Sequence, residues 1–210
     1  MNQNELNNDL KGRNDEQQKV IKYFYGVGGC FSNGLKDEDY EARVMNRVKS
    51  IDWKKKALDK IGLDETQINE IEPVHFQDYV INERSKYVRK GKDRKWRSSA
   101  YQVSYILFSA SQIYVYQYTF NMDSDEKNER TEEYFYKDIT NFSTTKDTIE
   151  KEVLEKTGCT GESTFKRTQV ETSAFAITVP GDKFYCAMEA NDYSERAVQG
   201  MKAKLREKKG

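Results

Sequence analysis

The chain has 210 residues, 36% hydrophobic and 33% charged, enough for one large or two small domains with a heavily solvated surface. Lysine plus arginine equals aspartate plus glutamate at 35 each, a formal net charge of zero that argues against a dedicated nucleic-acid binder. No apolar run approaches the ~20 residues that cross a bilayer, the first residues lack a signal-peptide layout, and Cys30, Cys159 and Cys186 are too few and too far apart for a disulfide framework or a zinc site. The cytoplasm is the expected location, and 14 Tyr with 10 Phe supply the core.

Residues 1–14 are polar and aperiodic and read as a disordered arm. A short helix is predicted over Glu16–Tyr25, with Gly26 as its left-handed cap. A longer helix is predicted over about Glu38–Ile61, with Tyr40, Val44, Val48, Ile51 and Leu58 on one stripe. Asp64 and Gln67 have capping-box spacing for a short third helix that ends near Ile71, ahead of Pro73. Residues 15–72 are therefore expected to form a small helical region.

From Pro73 the apolar period changes to two, and residues 73–210 read as a β-rich domain. Strands are expected at Val74–Ile81, around Tyr101–Leu107 and Ile113–Phe120, and from Tyr134 onward, with a charged hairpin or loop at 82–98 and a polar loop at 122–131. Residues 146–157 are read as strand rather than helix. Phe175, Ile177 and Val179, the Pro180-Gly181 turn, then Phe184, Cys186 and Met188 make a hairpin. The last element is a helix, with Asp192 and Glu195 forming a capping-box variant at its start. Tyr193, Ala197, Val198, Met201 and Leu205 lie on one face, with basic residues near its end.

Three stretches carry a resemblance. Tyr105–Tyr116 looks like the paired strands of bacterial pleckstrin-homology-like (PH-like) domains. Tyr134–Phe142 resembles their aromatic strand and Tyr-x-Asp-Ile step, and Phe184–Leu205 resembles their final strand and helix. The resemblance implies an α+β fold: a PH-like antiparallel barrel or sandwich capped by a C-terminal helix and preceded here by the helical region. It implies a non-catalytic binding or scaffolding module for a protein partner, or for a lipid surface, and no cofactor.

The candidate binding stretch is 84–97, where eight cations against Asp93 give +7. Arg89, Lys90, Lys92, Arg94, Lys95 and Arg97 are its core, and they suit an anionic membrane surface. The plainer reading is a solvated hairpin paired with the acidic stretch Asp123–Asp138, which carries −4. Tyr114, Tyr116, Tyr118 and Phe120 share one strand face. That face either binds a ligand or is covered by the N-terminal helices, and cover is the favoured reading. Gly26-Val-Gly-Gly is not a phosphate loop, and Asp123–Asn128 lacks the glycine of a calcium loop. His75 reads as a packed or edge residue and Cys186 as a small core residue. Nothing places a base beside Cys30 or Cys159, so no enzymatic role is expected.

Overall fold

The computed structural model describes residues 3–27, 34–68, 71–157 and 163–209. It is an α+β structure with three antiparallel sheets, a C-terminal helix and no closed barrel among those residues.

The stretch expected to be a disordered arm contains helix α1 (Gln3–Leu10), held because Leu6 is buried among the aromatic residues of the following helix and its neighbours. α2 (Asp15–Phe24) starts at Asn14, whose side chain accepts from the Gln17 amide while Gln17 returns the bond. Its end is turned by Gly26 at φ 67°. The single long helix expected over 38–61 is two, α3 (Asp37–Lys49) and α4 (Trp53–Ile61). The break falls where Asp52 accepts from the Lys55 amide and starts a new helix, leaving Gly62 at φ 83° to end it. Asp64 and Gln67 make both bonds of their capping box, but around a 3-10 turn at Glu65–Gln67 and not an α-helix.

Four strands form the first sheet: β1 (Val74–Tyr79), β4 (Ala100–Phe108), β5 (Gln112–Asn121) and β6 (Lys127–Phe135), in the order β1-β4-β5-β6. Between β1 and β4 a short hairpin, β2 (Val88–Lys90) and β3 (Trp96–Ser98), stands apart. The expected polar loop at 122–131 is shorter than the sequence suggests. β6 takes up Lys127, pairing it with Phe120, and is an edge strand whose side chains mostly face solvent, so apolar alternation is absent. β7 (Asn141–Thr157), β8 (Ser163–Val179) and β9 (Asp182–Ala187) form a third sheet, with Gly181 at φ 83° in the β8–β9 turn.

Because successive side chains of a strand point to opposite faces, β4 and β5 serve two cores. Ile106, Phe108, Ile113 and Val115 pack inward on Phe142, Phe175, Ile177 and Phe184. Helix α5 (Asp192–Lys209) closes this core with Val198, Met201 and Leu205. Its cap is Asn191, which accepts from the Ser194 amide, in place of the expected Asp192. On the opposite face Tyr101, Val103, Tyr116, Tyr118 and Phe120 are covered by α1 to α4, with the Trp53 and Tyr118 ring centroids 5.4 Å apart. The tyrosine face is thus an internal surface, as favoured from the sequence.

The β7–β8 ribbon changes its buried face along its length. Phe142 and Ile177 are cross-strand partners that face the inner core. Ile149 and Val170 are also partners, but of opposite parity, and with Val153 they pack on Val88 of β2. Strand twist turns the far half of the ribbon over so that its other side meets the hairpin. Ser163 Oγ then donates to the Tyr25 carbonyl at 2.6 Å, fastening the ribbon to the end of α2.

Candidate functional site

The cationic stretch is folded by the β2–β3 hairpin. Gly91 N donates to Lys95 O at 2.9 Å, Arg94 N donates to Gly91 O at 3.0 Å, and Arg94 itself has φ 66°. The hairpin sorts its cations into two kinds. Arg97 is 3% exposed, with Nη1 and Nη2 on the two oxygens of Asp93 and Nε on Glu41 of α3. Those bonds from Arg97 lower the Asp93 carboxyl to about 2. Arg89 lies over the Tyr23 ring at 4.4 Å and donates to the Tyr23 carbonyl. Its Nε is 3.9 Å from Asp37, which also accepts from the Tyr23 hydroxyl and the Lys92 amide at 2.8 Å each. Lys86 pairs with Asp9 of α1.

Lys90, Lys92, Arg94 and Lys95 are exposed around the hairpin tip, with no carboxylate partner among the described residues. Lys90 Nζ stands 5.2 Å from the Trp96 ring centroid. Of the six candidate residues, then, two are bound into the fold and four are presented to solvent. The acids that pair with this stretch are Asp9, Asp37, Glu41 and Asp93, in place of the expected 123–138 segment. The helices α1 and α3 bring their carboxylates to the hairpin. In the 123–138 segment, Glu129 meets Lys56 and Lys60 of α4, and Asp125 accepts from Gln17 of α2.

A second basic feature was visible in the sequence only as charge at a helix end. Lys202, Arg206 and Lys209 follow the i, i+4, i+7 spacing of one helical face. With Leu205 of α5, Asn141 at the start of β7 and Thr140 just before it, they line a cleft of about 410 Å³. Their neighbours on the helix are engaged elsewhere: Lys204 pairs with Glu207 at 2.9 Å, and Lys208 Nζ lies 5.8 Å from the Tyr136 ring centroid. None of the three lining cations has a carboxylate partner among the described residues. Among the described residues β7 is paired on one side only, with β8. Farther along β7 the neighbourhood is taken, since Lys151 Nζ donates to the carbonyls of Glu83 and Ser85.

The chemically reactive residues are placed as packing elements. His75 stacks on Tyr105 at 5.5 Å, its Nδ1 lies 3.1 Å from the Tyr193 hydroxyl, and burial lowers its pKa. Burial pushes the Cys186 thiol up to about 12, far from a thiolate. Cys30 and Cys159 lie outside the described residues. Among the described residues, no group of three or more His, Cys, Asp or Glu is placed to hold a metal ion, and no helix is long and apolar enough to cross a membrane. No protein-family model, curated protein or solved structure matches the chain.

Proposed function

We propose that the chain is a non-catalytic interaction module of the PH-like superfold, acting in the cytoplasm. It engages an extended, acidic segment of a partner protein in the cleft between β7 and α5. A four-stranded antiparallel sheet, a three-stranded one and a closing helix, in that order, support the fold assignment. The observation that carries the function is the cleft where Asn141, first residue of the edge strand β7, stands beside three cations of α5 that have no carboxylate partner among the described residues. An extended segment that joins β7 gains main-chain hydrogen bonds, while carboxylates at alternate positions reach Lys202, Arg206 and Lys209. Display of random decapeptides against the full chain tests this. Asp- and Glu-rich segments are expected to be enriched, and Lys202→Glu with Arg206→Glu is expected to abolish their capture. Equal capture by that variant rejects the reading.

A second reading rests on the hairpin tip, where Lys90, Lys92, Arg94 and Lys95 point outward together. Each contributes roughly 1 kcal/mol near an anionic bilayer. Co-sedimentation with phosphatidylserine vesicles, lost at high salt and lost when all four become Ala, supports it. Sedimentation retained by the fourfold variant rejects it.

A further inference from the structure

A cleft of about 400 Å³ opens between α1, the segment that follows β1 and the β5–β6 turn. Asp123 lines it. This residue is 9% exposed, and its carboxylate has neither a hydrogen-bond nor an ion-pair partner among the described residues. Among the described residues the buried side-chain polar atom left without a partner is Thr145 Oγ1, so the Asp123 oxygens open onto the cleft, where a ligand can reach them.

The surrounding residues do not supply that charge. Lys86 lines the cleft but is held by Asp9, which also accepts from the hydroxyls of Tyr87 at 2.7 Å and Tyr25 at 2.9 Å. Arg13 and Arg84 line the same cleft, and neither guanidinium has a carboxylate partner among the described residues. The cleft therefore presents one acid and two guanidinium groups that form no ion pair among the described residues. Its volume lies in the range of small-molecule sites.

We propose that this cleft binds a small zwitterion of amino-acid size. The ligand's ammonium or guanidinium group sits on Asp123, and its carboxylate sits on Arg13 or Arg84. The site shares no residue with the β7–α5 cleft, so it stands or falls apart from the function proposed above.

The test uses the full ¹⁵N-labelled chain titrated with each of the twenty free L-amino acids, read at the amides of Tyr87, Ser99 and Asp123. At least one is expected to give saturable shifts at all three amides. Asp123→Asn is expected to weaken that amino acid at least tenfold, while its ligand-free thermal midpoint stays that of the parent, since the carboxylate has no partner among the described residues to lose. Arg13→Gln combined with Arg84→Gln is expected to weaken the amino acid more than the corresponding decarboxylated amine. Absence of saturation by all twenty overturns the proposal. So does undiminished binding by Asp123→Asn, or a lowered midpoint in that variant without ligand, which would reveal a structural partner for the carboxylate.

Discussion

Arg97 reaches back four residues to Asp93 in a two-point contact, Nη1 to Oδ1 at 2.9 Å and Nη2 to Oδ2 at 2.8 Å. The same guanidinium binds Glu41, so the hairpin is joined to α3 through one buried cation. Arg97→Gln is expected to destabilise the protein by roughly 1–3 kcal/mol, because a buried guanidinium loses its charge-assisted bonds to two partly exposed carboxylates. Lys92→Ala and Lys95→Ala, at the exposed tip, are expected to stay within about 0.5 kcal/mol. Urea unfolding of the three variants checks the contrast, and similar losses in all three would refute it.

Gly91 tests the same junction from the backbone side. A Cβ added there would lie 2.5 Å from Asp93 Oδ1 and closer still to Arg97 Nη1. Gly91→Ala is expected to cost roughly 1–3 kcal/mol through displacement of that ion pair. In the Arg97→Gln background the added loss should shrink, which a double-mutant cycle measures.

Asp78 gives a pH signature. It lines a cleft with Glu41 and Glu189. Burial above all, with those two carboxylates adding, pushes its carboxyl up to about 7. The folded pKa exceeds the unfolded value of 3.8, so the native state holds the proton more tightly. The contribution to stability is full below about pH 4, is lost as pH rises to about 7, and is flat above that. Asp78→Asn keeps an oxygen for the Tyr79 amide and carries no charge. It is expected to exceed the parent by on the order of 2 kcal/mol at pH 8, allowing for partial solvent screening, and by nothing at pH 4. Paired denaturant titrations at the two pH values decide. An equal difference at both would show that the proton is not involved.

Two core positions report on the two faces of the first sheet. Met201 of α5 is fully enclosed in the inner core, and Trp53 of α4 packs on Tyr118 while its Nε1 donates to the Val48 carbonyl at 2.7 Å. Met201→Ala is expected to cost roughly 2–5 kcal/mol and Trp53→Ala roughly 3–5 kcal/mol. A chain lacking residues 1–72 would bare Tyr116, Tyr118 and Phe120. It is expected to aggregate where the full chain does not, as light scattering would show.

The elements legible in the sequence are those whose one-face burial leaves a clean period. These are the β8–β9 hairpin at Pro180-Gly181, the alternation of β4 and β5, and the α5 stripe of Val198, Met201 and Leu205. What escaped has physical causes. α1 is held by Leu6, Leu10 and the Asp9 carboxylate, too few apolar positions among polar ones to announce a helix. The break between α3 and α4 is made by one side chain, Asp52, within an otherwise continuous apolar pattern. β6 is an edge with little to bury, so its sequence reads as loop. The charge of the 84–97 stretch is plain, but apart from Asp93, four residues before Arg97, nothing local distinguishes Arg89 and Arg97 from Lys92 and Lys95. The difference lies in Asp37 and Glu41, more than forty positions earlier, and only folding brings them near. The α5 cations at the β7 cleft are plain in the sequence as charge but not as a site, since their significance depends on which strand the helix lies against.

The β7–β8 ribbon shows one side to Phe184 and the other to Val88. An insertion or deletion of one residue between Thr145 and Ile149 would therefore reverse only half of it. Either the Phe142 end or the Val153 end would then point its apolar side chains at water, and no compensating slip restores both. The two ends of the hairpin are consequently bound to a single spacing.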